Sequence, residues 1–238
     1  MNKYFNWINT NILYVFLIFL LLLNLLPILA PILLHYEFNE GSRAIYQLYS
    51  FFCHQQHWKS LHLHDHQIAW CARDMFIWGS MLLVLIIVLV RNTKPLGLLW
   101  LIIYSIPMLL DGGLQTLAVI LGYNDSSVFY VSSNLSRMIT GSIFGSGFGL
   151  YIFPRMKEIV QQEKVSSSSG GSFKIFKGGT HHLKIVLIIL LIMSLIYITF
   201  IQLWQITSNE YLPTNFLDSE TKLPEDNRDW FLRRQRGI

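Results

Sequence analysis

The sequence predicts an all-α integral membrane protein, a bundle of about five transmembrane helices. Of its 238 residues, 53% are hydrophobic and 13% are charged, which is about half the charged share of an ordinary soluble domain. The hydrophobic residues are gathered into long stretches rather than spread along the chain. Because every backbone polar group must be paired inside the hydrocarbon layer, we expect these stretches to be helices.

Five stretches approach the roughly 20 mainly apolar residues that a membrane-spanning helix needs. They cover residues 12–34, 75–90, 96–122, 135–153 and 183–204. Residues 69–74 complete the second span at its edge. The third span is the least regular, because it carries Pro107 and an Asp-Gly-Gly sequence that begins at Asp111.

Two local patterns predict how these helices pack. Pro27 and Pro31 in the first span predict a kink whose freed carbonyl groups are satisfied by neighbouring groups. Gly141, Gly145 and Gly149 in the fourth span are four residues apart and form a stripe of small residues. Such a stripe lets another helix approach closely, so we expect it to serve packing.

Positively charged residues predict the orientation, because they collect in cytoplasmic loops. The loop between the fourth and fifth spans carries Arg155, Lys157, Lys164, Lys174, Lys177 and Lys184. This loop is predicted to be cytoplasmic, as are the amino terminus and the turn with Arg91 and Lys94. By alternation, segments 35–74 and 122–134 face outward. The expectation is a multi-pass plasma-membrane protein with its carboxyl terminus outside, whose net charge of +4 reflects topology and not a nucleic-acid partner.

The chain divides into four regions by composition. Residues 1–154 are predicted to form a four-span membrane domain, and residues 155–182 a basic, Ser/Gly-rich cytoplasmic linker. Residues 183–206 are predicted to form the fifth transmembrane helix. Residues 207–238 form a polar tail.

The outward segment from Tyr49 to Asp74 holds both cysteines and five of the eight histidines. An aromatic, amphipathic run ahead of it predicts a short helix at the membrane interface. Because cysteines outside the cell meet oxidising conditions, one expectation is a disulfide between Cys53 and Cys71, which would contribute on the order of 3 kcal/mol. The alternatives are free thiols, or a metal or redox site that uses Cys53, His54 and Cys71, whose ligand types suit zinc, iron or copper.

Three further histidines follow in the same segment. His62, His64 and His66 alternate with other residues, so in an extended segment their side chains would share one face. That face could hold a metal. The alternative is a solvated loop whose histidines titrate at about pH 6 to 7.

Polar residues of three spans are predicted to meet in the outer half of the bundle. They are Arg73 and Asp74 at the start of the second span, Asp111 and Gln115 in the third, and Asn134 and Arg137 at the start of the fourth. Ionisable groups at such depth are costly unless they are paired or hydrated, which predicts a polar pocket reaching in from the outer surface. We expect Asp111 and Arg137 to interact. The alternative to such a pocket is an internal salt bridge that only fixes helix packing.

Four motifs carry a resemblance to a known family. They are YxLYSxFCHQ, QxxxCARD, PMxLDGGxQ and SNxxRxxTGxxFGxGxGxxxxP, which lie between about Pro27 and Pro154. This region resembles the bacterial and archaeal membrane-protein family catalogued as domain of unknown function 2085. The resemblance places the family's characteristic positions on Cys53, His54, Gln55, Gln67, Cys71, Ala72, Arg73, Pro107, Asp111, Gly112, Gln115, Asn134, Arg137, Thr140 and Gly141.

This chain departs from the family pattern at three positions. Lys59 and Ser60 stand where the pattern has arginine and serine, and Asp74 stands where many relatives have a third cysteine. The resemblance implies no activity, because none is assigned to the family.

Three kinds of function are compatible with these features. The first is a membrane-embedded enzyme or redox protein acting on a lipid or quinone, with Asp111 as a base or ligand and Arg137 as an anion clamp. The second is a small transporter or ion pathway, and the third is a non-catalytic subunit of a membrane complex. The clustering favours a binding or catalytic pocket, because packing alone does not need this many polar groups on one side.

Overall fold

The computed structural model of the protein is a helical bundle that includes a small β-hairpin. It describes residues 3–53, 55, 59–121, 132–164 and 180–209. The elements are α1 (Lys3–His35), α2 (Asn39–Ser50), β1 (Ser60–Leu63), β2 (His66–Cys71), α3 (Ala72–Val90), α4 (Leu98–Ile120), α5 (Asn134–Lys164) and α6 (Thr180–Thr207). Much of the predicted linker and most of the predicted tail lie outside the described residues.

Four of the described helices are long and apolar enough to cross a membrane. The apolar parts are Asn11–His35, Ala72–Val90, Leu98–Leu117 and His182–Thr207. They correspond to the first, second, third and fifth predicted spans, which confirms the multi-span helical character. Helix α5 contains the predicted fourth span and has 31 residues, but it is not among the four. Its small residues and the charged residues near its carboxyl end make it less apolar.

The all-α prediction is incomplete, because the cysteine-containing segment forms an antiparallel hairpin of β1 and β2. His62 pairs with Gln67 and Leu63 with His66. His64 and Asp65 form the turn with φ values of 51° and 61°, the left-handed conformation that a tight two-residue hairpin requires at both positions. This turn lacks the usual Asn-Gly or Asp-Gly signal. The turn therefore divides the histidine run, and the prediction of one shared histidine face is wrong.

The hairpin turn defines one end of the bundle, which we call the hairpin end. The backbone N–H of His64 donates to Thr207 Oγ1 at 3.1 Å, and that of Asp65 donates to Ser208 Oγ at 2.9 Å. The His35 ring, at the end of α1, stacks on His64 with 4.1 Å between centroids. The ends of α1 and α6 therefore meet at the hairpin turn.

The opposite end of the bundle is basic. Lys157 of α5 donates through Nζ to the carbonyl of Val88 at 2.5 Å, and Arg155 donates through Nη2 to the carbonyl of Leu96 at 2.7 Å. His182 of α6 contacts the connection between α3 and α4. Cations are stabilising beside the last carbonyl groups of a helix such as α3. We call this the basic end.

A short helix, α2, forms in the predicted region and runs back along α1, and its position at the membrane interface stays a prediction. Ser42 Oγ donates to the carbonyl of Ala30 at 2.9 Å, and Tyr49 Oη donates to the carbonyl of Leu23 at 3.0 Å. Pro27 has no N–H group, so the carbonyl of Leu23 has no partner within the helix. Tyr49 supplies the missing donor, which confirms that a neighbouring group satisfies a carbonyl freed by proline.

Helices α3 and α5 pack closely through the predicted glycine stripe. A Cβ atom at Gly145 would lie 2.3 Å from both the carbonyl oxygen of Ile77 and Ser80 Oγ. One at Gly141 would lie 2.8 Å from the carbonyl oxygen of Arg73. These distances are too short for any side chain, so the stripe serves packing as predicted.

Helix α3 begins below the hairpin end. The Phe76 ring of α3 contacts the Tyr197 ring of α6 with 6.0 Å between centroids, whereas Thr207 of α6 meets the hairpin turn. Ala72 lies one turn before Phe76. At 1.5 Å per residue, the start of α3 is roughly 9 Å below the end of α6. The buried hairpin fills the space above it.

Candidate functional site

A buried ion pair joins the start of α3 to the middle of α4. Arg73 Nη2 donates to Asp111 Oδ2, and the two side chains are 17% and 5% exposed. The same nitrogen lies 3.3 Å from Ser132 Oγ. Gly112 leaves room for the guanidinium group, because a Cβ atom there would lie 2.8 Å from Arg73 Nη1. The pair therefore depends on the shape of α4 as well as on charge.

Three hydroxyl groups also surround the Asp111 carboxylate. Ser132 Oγ donates to it at 2.9 Å, and Ser136 Oγ and Thr140 Oγ1 lie within donating distance at 3.2 and 3.3 Å. Ser136 and Thr140 are four apart on α5 and share one helix face, and Ser132 lies two residues before the helix. A guanidinium group and hydroxyl donors together supply the partners that a carboxylate needs at this depth.

Asn134 and Arg137 connect α5 to the hairpin. Arg137 Nη1 donates to Asn134 Oδ1 at 2.8 Å, and Asn134 Nδ2 lies 3.5 Å from the carbonyl oxygen of Ser60. Ser60 is the strand partner of Cys71. Asn134 and Arg137 are both buried. A contact between Asp111 and Arg137 stays a prediction.

The second polar group contains the two cysteines. The sulfur atoms of Cys53 and Cys71 and a carboxylate oxygen of Asp74 all lie within 4.8 Å of one another. Cys53 Sγ accepts hydrogen bonds from the backbone N–H groups of Gln55 at 3.5 Å and Cys71 at 3.3 Å. Cys71 Sγ donates to Asp74 Oδ2 at 3.0 Å. The two sulfur atoms are not bonded to each other, so the disulfide stays a prediction, and His54 lies outside the described residues.

The two thiols have opposite pKa shifts. The hydrogen bond with the Cys71 side chain lowers the pKa of Cys53. The same contact, together with burial, raises the pKa of Cys71 well above its usual value. Cys53 is therefore the thiol that ionises first. The thiolate is the form that binds metals and reacts as a nucleophile.

Lys59 lies half-buried beside both polar groups, immediately before Ser60. Burial lowers the pKa of Lys59, and the positive charges of Arg137 and Arg73 lower it further. Arg73 is paired with Asp111, whereas Lys59 forms no salt bridge with another residue of the described chain. Three cationic side chains thus gather near the start of α3.

The structure divides the predicted pocket residues into two neighbouring groups. Arg73 and Asp111 belong to the ion pair, whereas Asp74 belongs to the cysteine group. Gln115 lies one turn beyond Asp111 on α4 and is half-buried. The predicted set lacks Ser132 and Ser136, although their four-residue spacing with the family position Thr140 is a signal in the sequence.

These features define an integral membrane protein with a polar cluster inside a helical bundle. The chain matches the family described as "Predicted membrane protein (DUF2085)" over residues 53–151. It is 30% identical over 126 residues to the uncharacterized protein MJ1492 of Methanocaldococcus jannaschii, a match that covers 51% of this chain and 74% of that protein. The chain therefore belongs to the DUF2085 family of predicted membrane proteins. No solved structure matches it.

Proposed function

We propose that this protein spans the membrane five times and binds an anionic lipid headgroup in a recess below its hairpin end. The gathering of Lys59, Arg73 and Arg137 carries this proposal, because Arg137 bonds to Asn134, and Asn134 lies 3.5 Å from the carbonyl oxygen of Ser60, the residue after Lys59. Among the described residues, two acidic side chains lie in the same region, Asp111 in the ion pair and Asp74 in the cysteine group. Neither forms a salt bridge with Lys59, and an anion would balance the Lys59 charge.

The positions of the helix ends support five spans and the outward orientation. The first turns of α5 lie beside the ion pair, and its Arg155 and Lys157 lie at the basic end. Helix α5 thus runs antiparallel to α3 over the same depth. The excess of basic residues favours the cytoplasmic side for the basic end. The hairpin end and the carboxyl terminus then face outward, as expected from the sequence.

Lipid can approach the recess along α4. Only 11% of the apolar part of α4 is buried in the bundle, and Leu109, Leu110 and Leu114 are exposed. A Cβ atom at Gly113 would meet no atom of another element within 4 Å, so the side of α4 that faces away from Asp111 is open. An amphiphile can therefore place its chains against this exposed side of α4, with its headgroup directed toward the level of Arg73.

The chemistry at Lys59 favours an anionic ligand. A charge that is partly removed from water without a partner is destabilised, and a phosphate group offsets this cost. A neutral quinone has no charge to balance Lys59. Phe51 and Phe52, which directly follow α2, add exposed apolar surface and are 85% and 71% exposed. Together these features fit a phosphate-bearing lipid.

Removal of the Lys59 charge tests the proposal. A basic residue contributes about 1 kcal/mol to binding of anionic lipid, so Lys59→Gln should lower the affinity for phosphatidylglycerol about fivefold. The matched control is Arg43→Gln, which removes an exposed cation of α2 at the same end of the bundle. Native mass spectrometry of the full chain, titrated with phosphatidylglycerol or phosphatidylcholine, measures both affinities.

The proposal requires the wild-type protein to prefer phosphatidylglycerol and requires Lys59→Gln alone to reduce that preference. Equal binding of the two lipids by the wild-type protein would contradict it. So would equal losses in the two variants. Either result would leave the ion pair with a packing role.

A further inference from the structure

We infer that Cys53, Cys71 and Asp74 bind a thiophilic divalent cation of the zinc class in the reduced protein. This site is separate from the proposed lipid recess, because its ligand atoms are the two sulfurs and the Asp74 carboxylate. Asp111, Ser132 and the other members of the ion-pair cluster do not take part.

The donor atoms have the chemistry and spacing for such a cation. Two thiolates and a carboxylate are ligands that zinc commonly takes. All three donor atoms lie within 4.8 Å of one another, whereas ligands around a tetrahedral zinc ion with Zn–S bonds of about 2.3 Å are about 3.8 Å apart. Shifts of about 1 Å would close the site around the ion. Asp74 lies in the first turn of α3, three residues after Cys71, so one helix start presents both.

The segment that carries Cys53 is fixed to the hairpin. Gln55 Nε2 donates to the carbonyl groups of Tyr46 at 2.8 Å and Ala69 at 3.2 Å. Gln67 Nε2 donates in return to the carbonyl of Gln55 at 3.1 Å. These amide contacts hold Cys53 against β2, which ends at Cys71. A site positioned in this way loses little entropy when a metal binds.

The surroundings also suit a negatively charged metal centre. The backbone N–H groups of Gln55 and Cys71 point to Cys53 Sγ, and outer hydrogen bonds of this kind orient and tune metal ligands. Two thiolates and a carboxylate around a divalent cation leave one net negative charge. Lys59 lies near enough to both sulfur atoms to offset it. Three protein ligands leave a fourth position for another ligand.

Metal binding and the predicted disulfide exclude each other, because both use the sulfurs of Cys53 and Cys71. The test therefore uses the full chain in detergent, kept reduced with a phosphine and dialysed against Zn²⁺ or Co²⁺. We expect one ion per chain by elemental analysis. The cobalt form should show thiolate-to-cobalt charge-transfer absorption and the visible bands of a tetrahedral centre.

Substitutions identify the ligands. Cys53→Ser, Cys71→Ser and Asp74→Asn should each weaken Zn²⁺ binding at least about tenfold. The matched control Glu40→Gln removes an exposed carboxylate of α2 and should leave the affinity unchanged. Circular dichroism of every variant checks that the helices are intact.

The variant Asp74→Cys tests whether residue 74 is a metal ligand or has only a structural role. A thiolate is a softer ligand than a carboxylate and suits zinc, so this variant should bind Zn²⁺ at least as tightly as the wild-type protein. Its cobalt form should also gain charge-transfer intensity. Metal uptake by the reduced wild-type protein no greater than that of the Cys53→Ser/Cys71→Ser variant would overturn the inference. Equal loss of binding in folded Asp74→Cys and Asp74→Asn would remove Asp74 from the site.

Discussion

Asp111 connects three helices through one carboxylate. It accepts from Arg73 of α3 and lies on α4, and its hydroxyl donors come from Ser132 and the start of α5. Asp111→Asn leaves the Arg73 guanidinium group without its carboxylate partner. Arg73→Gln leaves the Asp111 carboxylate without its guanidinium partner. Breaking a buried pair costs about 3 kcal/mol or more. The loss of one neutral hydrogen bond in Ser132→Ala should cost only about 1 kcal/mol.

Thermal unfolding in detergent measures this coupling. Each single charge substitution should lower the free energy of unfolding strongly. The double variant Arg73→Gln/Asp111→Asn should lose clearly less than the sum, because neither charge is then left alone. Strict additivity would show that the two side chains do not stabilise each other.

Lys59 gives the proposed lipid binding a pH dependence. The protonated amine is the binding form, and burial together with the charge of Arg137 lowers its pKa from the usual 10.5. Lys59 therefore contributes to affinity at neutral pH, and the contribution is lost as the pH rises through this lowered value. Arginine stays protonated over the whole range. In a phosphatidylglycerol titration, the Lys59→Arg variant should keep its lipid affinity at alkaline pH, where the wild-type protein loses affinity. Identical pH profiles of the two proteins would refute a role for the Lys59 charge.

The hairpin is the element that the sequence did not predict. His64 and Asp65 occupy turn positions that usually hold Asn-Gly or Asp-Gly. Buried strands also lack the alternation of apolar and polar residues that marks a half-exposed strand. Leu61 and Ile68 are buried together with His62. Because His62 is polar, although it is buried and stacks on Trp204, β1 lacks the continuous apolar run that predicts a buried strand.

The roles of the prolines and glycines can be predicted from the sequence because these residues act through the backbone. Pro154 removes an N–H group just as Pro27 does, and the carbonyl of Leu150, four residues earlier, accepts the N–H of Leu96 at 3.0 Å. A sequence shows that a carbonyl is freed but does not show which donor replaces the lost N–H. Tyr49 and Leu96 become the donors only through the packing of α2 and of the connection before α4.

The contact between α3 and α5 predicts different effects for two glycines. Gly145→Ala would place a methyl group 2.3 Å from the backbone oxygen of Ile77, so the helices must separate at a cost on the order of 1–3 kcal/mol. Gly113→Ala is the control, because no atom lies within 4 Å of its added carbon. Alanine favours a helix over glycine by about 1 kcal/mol, so this variant should unfold at the same or a higher temperature. Comparable destabilisation of both variants would contradict the observed packing.

The depth of the polar groups within the bundle cannot be predicted from the positions of the spans alone. Helix periodicity and hydropathy predict where each span lies and bring Arg73, Asp111 and Arg137 to one side of the membrane. They do not predict that α3 begins roughly 9 Å below the end of α6. That offset brings Arg73 to the level of Asp111. Arg73 was predicted for the pocket, but its role as the ion-pair partner depends on this offset.

The outward orientation of the hairpin end is the claim on which the lipid recess and the disulfide prediction both depend. Labelling of single added cysteines with a membrane-impermeant maleimide in intact cells tests it directly, with the modified peptides identified by mass spectrometry. Asn209→Cys places an exposed thiol beside the hairpin turn, and Glu158→Cys places one on α5 near the basic end. We predict that Asn209→Cys is labelled and that Glu158→Cys is labelled only after the cells are permeabilised. Labelling of Glu158→Cys alone in intact cells would contradict the orientation and place Cys53 and Cys71 on the reducing side of the membrane.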